Sequence, residues 1–464
     1  MAAPTATSAP KRFPDRDEIA AVRAEAELLE PGQESPEQRR LAGRVLARRE
    51  LGKLVFLDLV DRSGRIQLLC PANRTGRVDV HLGDVVGAIG PPAKSRTGEP
   101  SLIVDDLQLL SRIRSPLPDT FHGLVDVEQR YRRRYLDLLV NAETRADFVL
   151  RSRVLSATRR YLESEGFLEV ETPVLQSLYG GAFARPFVTH HNELDEDLYL
   201  RVAGGELYLK RLIVGGLEKV YEVGRVFRNE GVSYKHNPEF TMLEWYEAYA
   251  DYRDTMERFE TLVETVALEV LGTTRVTYRG HDVDLKRPWR RLKLADALDE
   301  HGFWTRDEDE LRRRLAERAI DTQHDLTWAQ LVDHALTSFV EPSLVEPTFL
   351  HDYPVELSPF ARTTDDPLVV ERFEGFVGGT ELCNAFSELN DAEEQAERFR
   401  MQAEEGAGGN VEAEPGDADY VEALSYGMAP TGGLGFGVDR LAMVLAGKDS
   451  IRDVILFPAQ RARG

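Results

Sequence analysis

Between Arg39 and Leu110 the apolar residues come in short runs: RLAGRVLARR, KLVFLDLVD, RIQLLC, DVVGAIG and PSLIVDDLQLL. Glycine-bearing turns such as LGK, RSGR, HLGD and SRTGE separate them. Runs of this length, rich in Val, Ile and Leu, read as strands, and five in succession predict a small closed β-barrel over residues 39–114. Upstream, residues 1–38 are rich in Ala, Pro, Glu and Ser; Asp15 to Glu30 has the makings of a short helix and the rest reads as tail. Residues 115–141 form a linker that opens with two prolines and continues as a basic helix carrying Arg130, Arg132, Arg133 and Arg134. Residues 142–464 read as one large domain of mixed helices and strands. It starts with a helix that sets Phe148, Leu155, Tyr161 and Leu162 at helical spacing and ends at Gly166. A strand-like LEVETPVL follows, then strand candidates alternating with helices through ELYLKRLIVGG and KVYEVGRVFRNE, then mostly helix over 254–338. Ala403–Asp419, acidic, rich in glycine and poor in apolar residues, is expected to be a mobile loop. GGLGFGVDRLAMVL reads as a glycine-rich strand or turn entering a helix.

Composition narrows the function classes. A length of 464 residues suits two or three domains. The net charge of −22 excludes a basic footprint over the whole chain, yet residues 39–118 carry 14 basic against 8 acidic residues, or +6, which leaves −28 on the remainder. A basic five-stranded barrel on an acidic chain suggests an oligonucleotide-binding fold; a barrel with an arginine-rich surface fits equally well. The arginine run at 130–134 is by default a solvated face, though an RNA backbone could pass there. Two cysteines, Cys70 and Cys383, exclude a disulfide framework and a four-cysteine zinc site. No run approaches the roughly 20 apolar residues of a membrane span, and the N-terminus has no secretory apolar region, so a cytoplasmic location is expected.

The motifs narrow it further. There is no P-loop, and GGLGFG at 432–437 lacks the G-x-G-x-x-G spacing of a dinucleotide site. His190-His191 has no third ligand beside it and reads as loop or packing. The informative block is Phe227–Tyr249, where Arg228, Glu230, His236, Asn237, Glu239, Phe240, Glu244 and Tyr246 interleave with strand-type residues. Alternate residues of a strand share a face, so Glu244 and Tyr246 point into one pocket. So many charges in a core would each need a partner. A second block, residues 371–391, holds Glu374 and Glu381 around a Gly-Gly, followed by Asn384, Phe386 and Glu388 on one strand face. Paired carboxylates there suit general acid–base work, glycoside hydrolysis or Mg2+ ligation, and spacing alone leaves these open.

FRNEGVSYKHNPEFTMLE resembles motif 2 of the class II aminoacyl-tRNA synthetases in the form of their lysyl branch; GFLEVETPVL resembles motif 1 and GGLGFGVDRLAMVL motif 3. GGAFARPFVTHHNELDEDLYLR, ELYLKRLIVGG, CNAFSELND and SIRDVILFP resemble the same branch, so the likeness runs from about Arg39 to Pro458. Class I signatures are absent. The resemblance implies an α+β protein: a five-stranded OB-fold barrel that binds the anticodon, and a catalytic domain on an antiparallel sheet. It also implies a homodimer joined around Gly166–Pro173.

By the same resemblance, Arg228 holds the α-phosphate and the amino acid carboxylate. Glu230 reads adenine, Phe240 stacks on it, and Arg440 lies on its other face near the γ-phosphate. His236 and Asn237 touch the nucleotide, and Glu374 and Glu381 bind Mg2+. Gly181 and Glu206 match the α-ammonium site; Glu244, Tyr246, Asn384, Phe386 and Glu388 match the side-chain pocket; Arg49, Phe56, Gln67 and Glu99 match the anticodon-reading positions. The implied partners are ATP, L-lysine, tRNA(Lys) and a second copy of the chain, with no membrane. A diamino acid needs carboxylates for both of its ammonium groups, which agrees with this set.

The sequence departs from the family pattern in three places. Only PANRTGRVD joins two barrel strands between Cys70 and Val80, where a longer helical insertion is usual. The N-terminal segment is short. RVAGGELYLK carries one residue more than the usual RIAPELYLK ahead of Glu206. The leading expectation is ligation of lysine to tRNA through lysyl-adenylate. The alternatives are a paralogue that lysylates a protein or lipid, which Phe56, Gln67 and Glu99 argue against, and a non-catalytic binding protein, which Arg228, Glu230, Glu381 and Arg440 argue against.

Overall fold

The computed structural model describes residues 10–118, 123–181, 184–323, 325, 327–358, 360–407 and 416–461. The chain divides into two compact units, one ending at Ala142 and the other starting at Glu143.

The first unit is built on seven strands: β1 (Arg39–Leu51), β2 (Leu54–Val60), β3 (Arg65–Pro71), β4 (Val85–Gly90), β5 (Pro92–Lys94), β6 (Pro100–Ile103) and β7 (Asp106–Ser111). They pair in the order β5-β6-β3-β2-β1-β4-β7. The first four runs each give one strand, β1 to β4, whereas PSLIVDDLQLL divides into β6 and β7. The amides of Ile103 and Asp105 between them donate to Pro91 O (3.0 Å) and Ile89 O (2.8 Å), bridging the two ends of the sheet. Val55, Leu57, Leu59, Ile66, Leu68 and Cys70 alternate inward. The short helix expected within Asp15 to Glu30 forms and contributes to this core: helix α1 (Ile19–Glu27) buries Ile19, Val22 and Ala26. Such apolar burial stabilises by about 1.5–3 kcal/mol for each large aliphatic side chain. PANRTGRVD holds a single helical turn, Ala72–Thr75. The arginine run is not simply a solvated face: Arg134 is buried and pairs with buried Asp137 at 2.5 Å, which Arg130 also reaches.

The second unit is organised by an eight-stranded sheet: β8 (Leu168–Glu169), β9 (Lys219–Phe227), β10 (Glu239–Ala248), β11 (Arg290–Lys293), β12 (Thr348–Pro354), β13 (Val369–Val377), β14 (Thr380–Ser387) and β15 (Thr431–Gly437). The order is β11-β12-β13-β14-β15-β10-β9-β8. The central pairings are antiparallel and only the two edge pairings are parallel, so the α+β reading holds. One face is apolar: Leu243, Trp245, Phe373, Cys383, Ala385, Leu434 and Phe436 pack beneath helices α2 (Ala142–Ser164) and α4 (Tyr252–Leu271). Asp251 and Asp254 form a capping box that starts α4, and Gly272, at φ 76°, ends it. Phe259 on α4 sets its ring edge-on to Phe436, 5.6 Å between centroids.

In the expected alternation ELYLKRLIV is the helix, α3 (Glu206–Val214), its buried Leu209 and Ile213 four apart. Two expectations change. LEVETPVL yields only the two-residue strands Leu168–Glu169 and Leu175–Gln176. The loop expected over Ala403–Asp419 is partly helix, since Ala392–Ala407 and Ala418–Ser425 are helical; residues 408–415 lie outside those described.

Candidate active site

The other face of the large sheet is the floor of a cavity of about 400 Å3. Strand register explains its lining. Glu374 lies opposite Asn384, Asn384 opposite Gly435, and Gly435 opposite Glu244, in one row across four strands. The next row runs Arg372, Phe386, Gly433, Tyr246. Residues directly opposite on antiparallel strands share a face, and the period of two sends their neighbours into the apolar core. The glycines of β15 contribute room. A Cβ on Gly433 would lie 2.0 Å from Glu388 Oε1 and 2.5 Å from the Tyr246 ring, and one on Gly435 2.6 Å from Met242.

Glu381 would face the core by simple alternation from Asn384. A bulge between Gly375 and Phe376 sets Glu381 opposite Phe376 and returns its carboxylate to the cavity side. The hairpin tip is Gly378-Gly379, both at positive φ (58° and 68°), as a two-residue type I′ turn requires.

Every candidate residue proposed for this unit lines the one cavity: Gly181, Glu206, Arg228, Glu230, His236, Asn237, Phe240, Glu244, Tyr246, Glu374, Glu381, Asn384, Phe386, Glu388 and Arg440. At one end are cations. Arg228 lies over the Phe240 ring at 5.4 Å, and its Nε donates to Val202 O (3.2 Å), leaving its terminal amino groups to the cavity. Arg440, at the start of helix α5 (Val438–Ala446), donates to Glu381 Oε2 (2.9 Å) and Glu381 O (2.8 Å). Desolvation, then the Arg440 and Lys235 charges, push His236 down to about 4, so it is neutral at pH 7. Both ends of the Asn237 amide are engaged: its Nδ2 donates to Glu239 O (2.6 Å) and its Oδ1 accepts from the Ala459 amide (3.0 Å). Asn237 therefore pins the loop to the C-terminal segment.

At the other end are three buried carboxylates. Glu244 Oε1 accepts from the Gly204 amide (2.6 Å), while its Oε2 has no partner. Burial, and then the Glu206 charge, push Glu244 up to about 8. Glu206 and Glu388 stand on either side of buried Lys210. The extra residue ahead of Glu206 is accommodated by glycine: Gly205 takes φ 100° at the helix start, where a Cβ would meet Thr172 Oγ1 at 2.3 Å.

Between the ends, Glu374 bonds Arg372 (2.6 Å) and the Tyr353 hydroxyl (2.9 Å); burial pushes it up to about 7, a shift that Arg372 opposes and Glu381 reinforces. Arg440 and Arg228 hold Glu381 below the usual carboxylate range. Among the described residues no group of three or more His, Cys, Asp or Glu is placed to hold a metal ion. Mg2+ needs less, since it binds through one or two carboxylates together with substrate phosphates. Glu374 and Glu381 offer hard oxygen donors, each also paired with an arginine, and their mutual repulsion favours a cation between them.

Sequence reasoning missed Arg372, Asp333 and Lys235, which also line the cavity. Arg372 bonds Asn384 Oδ1 (3.0 Å) and stacks over Tyr353 (4.5 Å). Its place two residues before Glu374 was a usable signal. Asp333, on the helix Trp328–Ala335, gave none.

In the first unit Phe56 is not a core aromatic. It lies outward with Asp58, on the face opposite Val55 and Leu57. Arg49, its cross-strand neighbour, stands over the Phe56 ring at 5.2 Å. Gln67 is on the same outward face opposite Asp58, and Glu99 is exposed within 3.4 Å of Arg23. His190 sits on the exposed strand Val188–His191 beside Asp197 (2.9 Å).

Residues 126–461 match the family model for tRNA synthetases class II (D, K and N), and residues 40–110 match that for an OB-fold nucleic acid binding domain. The chain is 52% identical to a lysine–tRNA ligase of Halalkalibacterium halodurans over 91% of this chain and 86% of that one. It is 49% identical to the lysine–tRNA ligase of Bacillus subtilis, over 91% and 87%. With the lysine–tRNA ligase of Dehalococcoides mccartyi it shares 48%, over 97% and 93%.

Proposed function

The chain belongs to the class II tRNA synthetases of the D, K and N group, and we propose how its cavity performs the ATP-dependent ligation of lysine to tRNA. The observation that carries the assignment of roles is the polarity of the cavity: three buried carboxylates at one end, guanidinium groups at the other. Lysine has two ammonium groups for the first and a carboxylate for the second. Arg228 steers that carboxylate and the α-phosphate together; Glu230 and Phe240 hold adenine; Arg440 meets the outer phosphates. The carboxylate attacks the α-phosphorus, diphosphate leaves, and a tRNA ribose hydroxyl then takes the lysyl group from the adenylate. No protein nucleophile is needed, so catalysis is alignment and charge neutralisation. Glu374 and Glu381 would hold Mg2+, which when bound neutralises phosphate charge. The test is lysine-dependent exchange of diphosphate into ATP, absent with aspartate or asparagine. Exchange with either of those and not lysine would overturn the pocket assignment.

The same exchange should depend on pH in a defined direction. Glu244 is pushed up to about 8 in the free protein, and a bound ammonium favours its ionised form. Lysine binding near pH 7 therefore expels a proton. Affinity should rise by up to ~10-fold per pH unit below about 8 and level off above it. Affinity that falls between pH 6 and 8 would contradict this.

We propose that Arg49, Phe56, Gln67 and Glu99 read the anticodon, a base stacking on outward Phe56. Phe56→Ala should raise the KM for tRNA by about 10–100-fold, the effect of losing one base–aromatic stack, and leave exchange intact. Impaired exchange would break the proposed division of labour. We also propose a homodimer in a reducing cytoplasm. Its support is apolar surface at the motif 1 region: Leu168, Val174, Leu175, Leu178 and Val188 are exposed. Light scattering should give about twice the 52.3 kDa chain mass. No helix among the described residues is long and apolar enough to cross a membrane.

A further inference from the structure

Lys210 follows Glu206 by one turn of α3, and its side chain has no solvent exposure. Its Nζ lies 2.6 Å from Glu206 Oε1 and 2.6 Å from Glu388 Oε2. The rings of Phe360 (4.9 Å), Tyr246 (5.7 Å) and Tyr420 (5.9 Å) complete its cage. Lys210 does not line the cavity; the two carboxylates that do line it stand in front of it. A dry ammonium is costly to bury without such partners. The arrangement also leaves acceptors unspent. Glu388 Oε1 and Glu244 Oε2 are buried and make no hydrogen bond.

With all three carboxylates ionised, as a bound ammonium favours, the one fixed ammonium leaves this end of the cavity a charge of minus two. A diamino acid brings two ammonium groups. We propose that Lys210 is the pocket's built-in counter-cation: it turns Glu206 and Glu388 so that their free oxygens face the ligand, and it limits the negative charge to what two ammonium groups neutralise. This rests on the lysine reading above. Lys210 is thus a positioning residue for substrate selection and touches no reacting atom. Without it a third uncompensated carboxylate would remain in a dry site, and the least solvated one would take up a proton. The groups facing Glu388 are Lys210 and Glu206 from α3, Tyr246 from β10 and Tyr420 from the helix Ala418–Ser425. Burial and Glu206 push Glu388 upward, and Lys210 is the cation that opposes them. A protonated Glu388 is a weaker acceptor for an ammonium.

The experiment is diphosphate exchange with Lys210→Met and Lys210→Arg, lysine and ATP being varied separately from pH 6 to 9. In Lys210→Met the KM for lysine should rise on the order of 100-fold, as when one partner leaves a buried charge pair, while the KM for ATP stays within about twofold. The pH at which lysine affinity levels off should move up by at least about one unit. Lys210→Arg keeps the charge and should keep that levelling point. An unchanged lysine KM and pH profile in a folded Lys210→Met protein would overturn the proposal. So would an upward move of a unit in Lys210→Arg, which decides the matter even if the Met variant does not fold. Wild-type protein with no lysine-dependent exchange would instead sink the lysine reading itself.

Discussion

Arg228→Ala should lower the rate of lysine-dependent diphosphate exchange by about 100–1000-fold. Arg228 leaves β9 at the edge of the cavity and spends only its Nε on the backbone, at Val202 O. Its remaining donors are free for the cavity, where we propose that a carboxylate and an α-phosphate approach each other against mutual repulsion. That repulsion grows in the transition state, as the attacking oxygen nears phosphorus and negative charge spreads over the phosphate oxygens. A donor aimed at developing charge in a shielded site is worth on the order of 3–4 kcal/mol. Near Arg228 stand Glu230, Glu381 and Glu244, and burial alone would depress its own charge. Its loss should therefore be felt in kcat as well as in KM, with little change in thermal stability, because only one hydrogen bond to the fold disappears. Stopped or radiolabelled exchange kinetics, with melting as the control, check this. A fall of less than about tenfold would remove Arg228 from the central role.

Gly433→Ala should weaken lysine binding sharply while leaving the nucleotide end nearly as it was. The backbone of β15 would accept alanine, since Gly433 is not among the residues at positive φ. What forbids a methyl is space, 2.0 Å from Glu388 Oε1 and 2.5 Å from Tyr246. Both side chains are buried and cannot swing to solvent. Overpacking of this kind costs typically 1–3 kcal/mol, and here it falls on Glu388 and Tyr246, the two groups we propose for the substrate's side-chain ammonium. The KM for lysine should rise by ~10–100-fold, with ATP affinity within about twofold of wild type. Calorimetric titration with each ligand separates the two. Equal weakening of both would mean that the methyl distorts the whole floor.

How much of this was visible in the sequence depended on whether the residues of a site lay on one strand. Glu244 and Tyr246, or Asn384, Phe386 and Glu388, announce a shared face by alternation, and the structure places them in the cavity. Phe56 could be read either way until β2 put Val55 and Leu57 inward. Cross-strand rows were beyond reach, because register between distant strands is written in hydrogen bonds and not in spacing. Glu381 shows the same limit more sharply, since its orientation depends on a bulge. Lys210 sat inside a quoted motif, but nothing local says that a lysine one turn from Glu206 meets Glu388 from another part of the chain. Helix α1 was legible as a short helix, but not its place: its apolar stripe is short, and only the barrel gives it something to cover.

The offset in the β13–β14 hairpin restricts what can change at its tip. Surface turns ordinarily accept an inserted or deleted residue with little consequence. Here one added residue would slide β14 by a single step and turn the Glu381 carboxylate under the sheet among Phe349 and Phe373, away from the cavity in which we propose that it acts. Loop engineering of this protein, whether tag insertion or circular permutation, should therefore avoid Gly378-Gly379 even though the spot looks like an innocuous bend.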